Sequence, residues 1–248
     1  MVKWIAHRGE SFDSPENTMT AFSLAAKRGA DGIECDLRLT ADGKVVVAHD
    51  PTTVRMGNRV LSIAESSWSE LSKITVSGIF ETEYPGEKIP LFSETFSVLE
   101  KDMEYYIELK GDDPELVNAA VEIIKTSNAD LSQLVFISFS RQLISKIKKV
   151  MPPCRALLLD TLNRDGRIAT AEELIAEINS LGIDGIDGGN HPDITPELIR
   201  KIKNAGMIFA VWTVDNPHRA KQLIDMGADV ITSNCAAKLK RIFLEQNF

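Results

Sequence analysis

Short apolar runs alternate with amphipathic segments from one end of the chain to the other. Eight of these runs have the length and the near-continuous apolar composition of strands that are buried on both faces. We predict strands at residues 3–7, 32–37, 105–109, 134–138, 155–159, 183–187, 208–213 and 229–232. The polar residues that flank each run are expected to lie at the strand ends.

The segments between the strands have the spacing of helices with one apolar face. We predict helices at residues 17–28, 92–101, 114–127, 141–150, 170–181, 196–204, 217–226 and 236–245. Pro196 follows Thr195 and Pro217 follows Asn216, an order typical of a helix start. Strand followed by helix, repeated eight times, predicts an α/β fold of the TIM (β/α)8 barrel class. An open doubly wound sheet is the alternative.

The second strand is followed by an interruption of this alternation. Residues 40–44 predict a hairpin turn that leads into a short apolar run at 45–48. The chain then continues without a clear period from residue 52 to residue 90, interrupted by glycine and proline. A connection of this length is usually functional or a small subdomain. We therefore expect a single domain over residues 1–248, with an inserted subdomain at about 52–90.

Composition narrows the classes of partner. The 28 basic and 36 acidic residues give a net charge of −8, and no block of five or more basic residues occurs, so we expect no nucleic-acid partner. No apolar run approaches the about 20 residues of a membrane span, so we expect no stable membrane insertion. The N-terminal residues lack the apolar region of a signal peptide, which favours a cytoplasmic protein. The sequence leaves homo-oligomer formation open.

Charged side chains collect at the ends of the first predicted strands, where a parallel barrel carries its chemistry. Glu34 and Asp36 are two residues apart in one strand and therefore face the same side. Glu108 and Lys110 have the same spacing. We expect one rim of the barrel to gather His7, Arg8, Glu34, Asp36, His49, Glu108 and Lys110.

Three converging carboxylates repel one another in a partly dry site unless a cation lies between them. Their oxygen-only donor set favours a hard divalent cation, Mg²⁺ or Ca²⁺, over zinc. The alternative is an ion-pair network in which Glu34 and Asp36 are paired with Arg8, Arg38 or Lys110.

Two of the four histidines, His7 and His49, lie at these strand ends, and the ordinary pKa of histidine suits an acid/base pair. Trp212, at the end of the seventh predicted strand, either packs against substrate carbons or belongs to the core. Glu16 is a candidate partner of Arg8, and Asn17 is expected to cap the first helix.

Several short motifs follow one another in a fixed order, most of them between residues 5 and 51. They are His7-Arg8-Gly9, Pro15-Glu16-Asn17-Thr18, Glu34-x-Asp36, Thr40-x-Asp42-Gly43, His49-Asp50, Glu108-x-Lys110 and Trp212-Thr213-Val214. In this order they resemble the glycerophosphodiester phosphodiesterase family, and the resemblance covers nearly the whole chain.

The resemblance implies a TIM barrel with a short subdomain inserted after the second strand. It also implies metal-dependent hydrolysis of a small-molecule glycerophosphodiester to glycerol 3-phosphate and an alcohol. The residues that it assigns are Glu34, Asp36 and Glu108 for the metal, His7 and His49 for acid/base catalysis, and Arg8 and Lys110 for the phosphate. Trp212 is a further substrate-binding candidate from its position alone.

Related activities are the alternatives. A lysophospholipase D or sphingomyelinase D-like enzyme would use the same metal and histidines on another substrate. A phosphatidylinositol-type phospholipase C commonly lacks the three carboxylates, and a binding barrel without catalysis would lack one of the histidines. The chain departs from the family pattern at Asp215 and Ser233. These two positions are expected to flank the substrate mouth and to affect the choice of leaving alcohol.

Overall fold

A computed structural model of the chain describes residues 1–127 and 129–245. The strands are β1 (Lys3–Ala6), β2 (Gly32–Leu39), β3 (Val45–Val47), β4 (Glu104–Leu109), β5 (Leu134–Ser138), β6 (Arg155–Asp160), β7 (Asn163–Arg164), β8 (Arg167–Ile168), β9 (Gly185–Gly189), β10 (Ile208–Trp212) and β11 (Val230–Ser233). The helices are α1 (Met19–Arg28), α2 (Trp68–Leu71), α3 (Phe92–Thr95), α4 (Pro114–Thr126), α5 (Arg141–Val150), α6 (Ala171–Leu181), α7 (Pro196–Asn204), α8 (Pro217–Asp225) and α9 (Ala236–Glu245).

Eight of the strands form a closed parallel barrel in the order β1-β2-β4-β5-β6-β9-β10-β11. Closure is made by β1, which pairs with β11 through Ile5 opposite Thr232 and with β2 through Ile5 opposite Gly32. The (β/α)8 barrel is therefore confirmed, and the open sheet is excluded because its first and last strands would not pair.

Local sequence signals mark the helix ends. Helix α4 begins at Pro114 after Asp113, whose side chain accepts a hydrogen bond from the Glu115 amide. Helix α1 ends at Gly29, whose φ of 82° lies in the left-handed region that favours glycine. The strand-to-helix loops lie on one side of the barrel because its eight strands are parallel, and the site lies on that side.

Apolar residues fill the barrel interior below those loops. The inward-facing cluster contains Ile5, Tyr106, Val135, Ile137, Leu157, Leu159, Ala210 and Val230. A larger apolar layer lies between the barrel and the surrounding helices. Because the interior is packed, the cavity can open only above this cluster, at the carboxyl ends of the strands.

The segment after β2 forms a compact extension of the barrel. Strand β3 pairs antiparallel with β2, with Leu37 opposite Val47. Residues 52–90 contain helix α2, a 3₁₀ turn at Gly78–Phe80 and isolated bridges from Thr52 to Ser62 and from Thr75 to Lys88. Together with β3 they bury a separate apolar cluster that includes Val46, Ile63, Leu71, Ile74, Val76 and Ile89.

Two predicted elements differ clearly from the structure, and the limits of the others agree within two residues. The helix predicted at 92–101 stops at Thr95 and continues only as a 3₁₀ turn, Phe96–Val98. The run Thr95-Phe96-Ser97-Val98 consists of weak helix formers, which explains the early end. The strand predicted at 183–187 is Gly185–Gly189. A shift of two residues keeps the same side chains facing inward.

The expectation of no membrane insertion and the state of the cysteines can be compared with the fold. Within the described residues, no helix combines the length and the apolar character needed to cross a bilayer. The three cysteines, Cys35, Cys154 and Cys235, are free and buried.

Candidate active site

A cavity of about 100 Å³ opens at the carboxyl ends of the barrel strands. It is lined by seven of the residues predicted from sequence, namely His7, Arg8, Glu34, His49, Glu108, Lys110 and Trp212. The eighth, Asp36, is fully buried directly behind them and forms ion pairs with Arg8 and Lys110. The structure therefore brings all eight together.

The three predicted metal ligands form a tight cluster. Glu34, Asp36 and Glu108 are buried, and each offers one carboxylate oxygen within 4.8 Å of the other two. Lys110 Nζ lies 3.0 Å from Asp36 Oδ1 and 2.7 Å from Glu108 Oε1. Arg8 Nε lies 3.2 Å from Asp36 Oδ2. The cluster thus contains ion pairs of the kind that the alternative hypothesis, an ion-pair network, requires. It also offers a possible set of metal ligands.

The charges of this cluster do not balance without a further cation or proton. Burial, followed by repulsion from Asp36, raises the pKa of Glu34 well above its usual range and that of Glu108 to about 7. Burial alone would raise the pKa of Asp36 too, but Lys110 and Arg8 outweigh it and hold that pKa below its usual range. Excess negative charge and an oxygen-only donor set fit a hard divalent cation.

Asn17 is hydrogen-bonded to Asp36 of this cluster. The prediction that Asn17 caps the first helix is wrong. The residue that caps α1 is Thr18, whose hydroxyl accepts a hydrogen bond from the Ala21 amide. Asn17 has a positive φ of 57°, whereas a capping residue is usually extended. Its Nδ2 donates to Asp36 Oδ2 at 2.7 Å.

His7 is oriented by residues that follow the last strand. Its Nδ1 lies 2.7 Å from Asn234 Oδ1, and Asn234 Nδ2 donates to Asp215 Oδ2 at 2.6 Å. Because the amide nitrogen of Asn234 faces Asp215, its oxygen must accept from His7, which places the imidazole proton on Nδ1. Burial, followed by the charge of Arg8, lowers the pKa of His7 to about 4, so the ring is neutral at pH 7.

The two departures from the family pattern belong to this arrangement. Ser233 Oγ donates to Asp215 Oδ1 at 2.9 Å, and the Asn234 amide donates to the same oxygen at 2.8 Å. Neither Asp215 nor Ser233 lines the cavity. Both are connected to His7 through Asn234, because Asp215, in the loop after β10, accepts hydrogen bonds from Ser233 and from Asn234 at the end of β11. Their expected effect on the choice of leaving alcohol stays a prediction.

His49 is connected to the rest of the site by a chain of charges. Its Nδ1 lies 2.7 Å from Asp50 Oδ1, and Asp50 Oδ2 accepts from Arg55 at 2.7 Å. Arg55 also makes two hydrogen bonds of 2.8 Å to Glu16, which pairs with Arg8 at 2.9 Å, as expected for those two residues. Sequence reasoning missed Arg55, which lies in the irregular segment with no motif to mark it.

The opposite side of the cavity is mostly apolar. Trp212 donates its indole N–H to the Asp187 carbonyl at 3.0 Å and meets the Phe139 ring edge-on, with 5.6 Å between centroids. Asp187 and Thr232 also line the cavity. Neither was selected from sequence, although a carboxylate at the end of the strand predicted at 183–187 was a visible signal for Asp187.

Comparisons with known proteins agree with this geometry. The chain matches the Glycerophosphoryl diester phosphodiesterase family over residues 7–237. A glycerophosphodiester phosphodiesterase from Caldanaerobacter subterraneus subsp. tengcongensis is 32% identical over 238 residues, which cover 93% of each chain.

Solved structures show the same fold. An Oleispira antarctica phosphodiesterase, determined in complex with the product sn-glycerol-3-phosphate, has a TM-score of 0.87 at 24% identity and covers 96% of this chain and 95% of its own. A glycerophosphodiester phosphodiesterase from Thermotoga maritima has a TM-score of 0.78 at 25% identity, with 98% of each chain covered. The chain therefore belongs to the glycerophosphoryl diester phosphodiesterase family.

Proposed function

We propose that the chain hydrolyses glycerophosphodiesters to glycerol 3-phosphate and an alcohol, with a divalent cation at Glu34, Asp36 and Glu108 and with His7 and His49 as the acid/base pair. The observation that carries this proposal is a single cavity lined by Glu34, Glu108, two cationic side chains and both histidines, with the third carboxylate within 4.8 Å of the other two. The family supports the reaction class. The sn-glycerol-3-phosphate bound by the Oleispira antarctica relative supports the product.

The phosphate of the substrate is the group that Arg8 and Lys110 suit. Both cations line the cavity beside the carboxylate cluster, where they can neutralise charge on the non-bridging oxygens. A bound divalent cation would add Lewis-acid stabilisation of the same charge. Because carboxylates already hold both side chains, little reorganisation is required when a substrate binds.

Each histidine is prepared for proton transfer. Nδ1 of His7 is held by Asn234 and Nδ1 of His49 by Asp50, and Nε2 of neither ring is hydrogen-bonded to a residue that the structure describes. One histidine takes the proton of the glycerol 2-hydroxyl as its oxygen attacks phosphorus, and the other protonates the departing alcohol oxygen. Water then opens the resulting cyclic phosphate to glycerol 3-phosphate.

The reaction is tested with purified protein and a panel of glycerophosphodiesters, with lysophosphatidylcholine and sphingomyelin included for the alternative activities. We expect release of glycerol 3-phosphate that stops with chelator and returns with Mg²⁺ or Ca²⁺. Full turnover by exhaustively metal-stripped enzyme would contradict the metal assignment. Faster turnover of the lysolipid or of sphingomyelin would favour the lysophospholipase D or sphingomyelinase D-like activity.

The histidines are tested by substitution. His7→Ala and His49→Ala should each lower kcat at least about 10²-fold, the usual contribution of a positioned acid or base. His218→Ala is the matched control, because His218 is exposed at the start of α8, outside the cavity. A single variant that keeps full activity would remove its histidine from the mechanism.

The attack step is tested with a 2-deoxy analogue of glycerophosphocholine. This compound keeps the phosphate that the cations hold but lacks the attacking hydroxyl. We expect competitive inhibition without turnover, and a transient cyclic phosphate in ³¹P NMR spectra of the natural substrate. Rapid hydrolysis of the analogue would show direct attack by water instead.

A further inference from the structure

Arg55 belongs to the irregular segment at residues 52–90 and does not line the active-site cavity. Its Nε donates to Asp50 Oδ2 at 2.7 Å. Its Nη1 and Nη2 each donate to one oxygen of Glu16, both at 2.8 Å. The guanidinium therefore binds two carboxylates at once and grips one of them with both ends of its fork. This planar geometry is specific to arginine, because a lysine ammonium is a single point of charge.

Each of these carboxylates also contacts a residue that lines the active-site cavity. The other oxygen of Asp50 lies 2.7 Å from Nδ1 of His49, and Glu16 Oε1 accepts from Arg8 Nη1 at 2.9 Å. Because a carboxylate only accepts hydrogen bonds, the neutral His49 ring carries its proton on Nδ1 and leaves Nε2 as an acceptor. Arg55 is thus one residue removed from a candidate acid/base group and from a candidate phosphate ligand.

The geometry of this network distinguishes it from an ordinary surface ion pair. The Arg55 side chain is 44% exposed, and isolated pairs at such positions are usually weak. Glu16, however, is only 17% exposed and is shared between two arginines. Removal of the central guanidinium would leave Asp50 and Glu16 without their common partner, so both would be free to turn. The main consequence is expected in the placement of the residues that these carboxylates hold.

The fold of the segment fixes the place of Arg55. The Thr53 amide donates to the Leu61 carbonyl at 3.0 Å, and the Ile63 amide donates to the Pro51 carbonyl at 2.9 Å. Ile63 is buried in the separate apolar cluster of this segment. The cavity beside Arg55 has a volume of only about 40 Å³, far below that of a small-molecule site. The contacts of Arg55 therefore support the neighbouring site and do not form a second one.

We propose that Arg55 is a positioning residue that holds His49 through Asp50 and Arg8 through Glu16, so that the segment at 52–90 completes the active site. The inference rests on the proposed function and adds a residue to it. The contact through Asp50 should affect the chemical step, and the contact through Glu16 should affect substrate binding. A displacement of about 1 Å can cost on the order of 10²-fold in rate, so a residue outside the cavity can have a large effect.

The kinetic test compares Arg55→Met with Arg59→Met on glycerophosphocholine. Arg59 is an exposed arginine of the same segment, outside the cavity, and is the matched control. Arg55→Met should lower kcat about 10- to 100-fold and raise KM by a smaller factor, whereas Arg59→Met should behave as wild type. Arg55→Lys should recover only part of the loss. A Tm close to that of Arg59→Met shows that Arg55→Met is folded.

A double substitution distinguishes positioning from a general structural role. In the His49→Ala background, Arg55→Met should lower kcat less than about threefold, because the ring that Arg55 positions is no longer present. A structural role would give the same loss in both backgrounds. That result, or wild-type kcat in Arg55→Met, overturns the proposal.

NMR of the histidine ring nitrogens separates this inference from the proposed function, because it requires no turnover. The chain has four histidines, and the signals of His49 are those missing from His49→Ala. At pH 8, where the ring is neutral, His49 should be protonated on Nδ1 in wild type and in Arg59→Met, and Arg55→Met should show a mixture of tautomers. An unchanged tautomer in Arg55→Met overturns the proposal. If wild type hydrolyses no glycerophosphodiester but this change is seen, the proposed function fails and the hold of Arg55 on His49 stands.

Discussion

In each half of the barrel a buried aspartate stands at the carboxyl ends of the strands, and the two aspartates differ in their partners. In the half formed by β1, β2 and β4, the buried carboxylate Asp36 is surrounded by partners, including Arg8, Lys110 and Asn17. In the half formed by β5, β6, β9, β10 and β11, Asp187 is equally buried, and its Oδ1 has no hydrogen-bond partner among the described residues. Both carboxyl groups stand at the same end of one barrel, so their residue type alone does not explain the difference.

This contrast separates two ways of building a site. A network with many internal partners keeps charges in place before the substrate binds, and the loss of one member leaves the others uncompensated. A buried group without a partner reduces stability until a ligand satisfies it. Substitutions in the Asp36 network are thus expected to lower activity and stability. The unpartnered Asp187 carboxyl is expected to lower the stability of the wild-type protein.

The largest effect is expected for Asp36→Asn. The substitution removes a charge that Arg8 and Lys110 share, so it should weaken the metal site and lower activity about 10³-fold. Breaking a buried ion pair should also cost about 3–5 kcal/mol of unfolding free energy. Activity assays, metal titration calorimetry and denaturant unfolding measure these changes.

The same substitution in the other half, Asp187→Asn, is the matched control for stability. Wild-type metal affinity in Asp36→Asn would favour a pure ion-pair network. Equal loss of stability in the two variants would remove the contrast between the halves.

A smaller effect is expected where the halves meet, at the hydrogen bond between His7 and Asn234. Asn234→Ala removes the acceptor that orients the imidazole, and one such bond is worth about tenfold in rate. The loss should appear in kcat with little change in KM, and the acid limb of the pH profile should move. Asn204→Ala, at the end of α7 and far from His7 in the sequence, is the control. A rise in KM with unchanged kcat would contradict a positioning role.

The smallest effect is a change in how stability depends on pH. Burial, followed by the charge of Glu108, raises the pKa of Asp187 from 3.8 to about 8. Between these values the folded state holds a proton that the unfolded state has lost, so this group lowers stability as pH rises. Asp187→Asn carries no such proton. In the presence of chelator its Tm should match wild type below about pH 4 and exceed it by a margin that widens as pH rises toward 8. A difference that shrinks with rising pH would contradict the sign.

Periodicity predicted most of the barrel because strands buried on both faces must be almost wholly apolar. The strand Leu134–Ser138 and the helices Arg141–Val150, Pro196–Asn204 and Ala236–Glu245 have the predicted limits. The helix expected at 92–101 failed where weak helix formers follow Thr95. The apolar spacing continues beyond the point where the helix ends, so the period predicts a longer helix than the weak helix formers allow.

The candidate site was predictable where its residues are close together in sequence. Glu34 and Asp36, or Glu108 and Lys110, face one side by strand alternation alone. The hydrogen bond from His7 to Asn234 spans 227 residues, and it depends on the pairing of β1 with β11. Arg55 reaches Glu16 from an irregular segment that has no period to read.

The sequence by itself determined the barrel, the family and the charged half of the site, because alternation and short motifs encode which residues share a strand face. Only the tertiary structure decided which groups support His7, and that Asp187 Oδ1 and Thr232 Oγ1 have no hydrogen-bond partner among the residues that the structure describes. Those facts arise from closure of the barrel, which sets distances between residues far apart along the chain. Whether a buried carboxyl is paired or unpaired is a property of its surroundings in three dimensions.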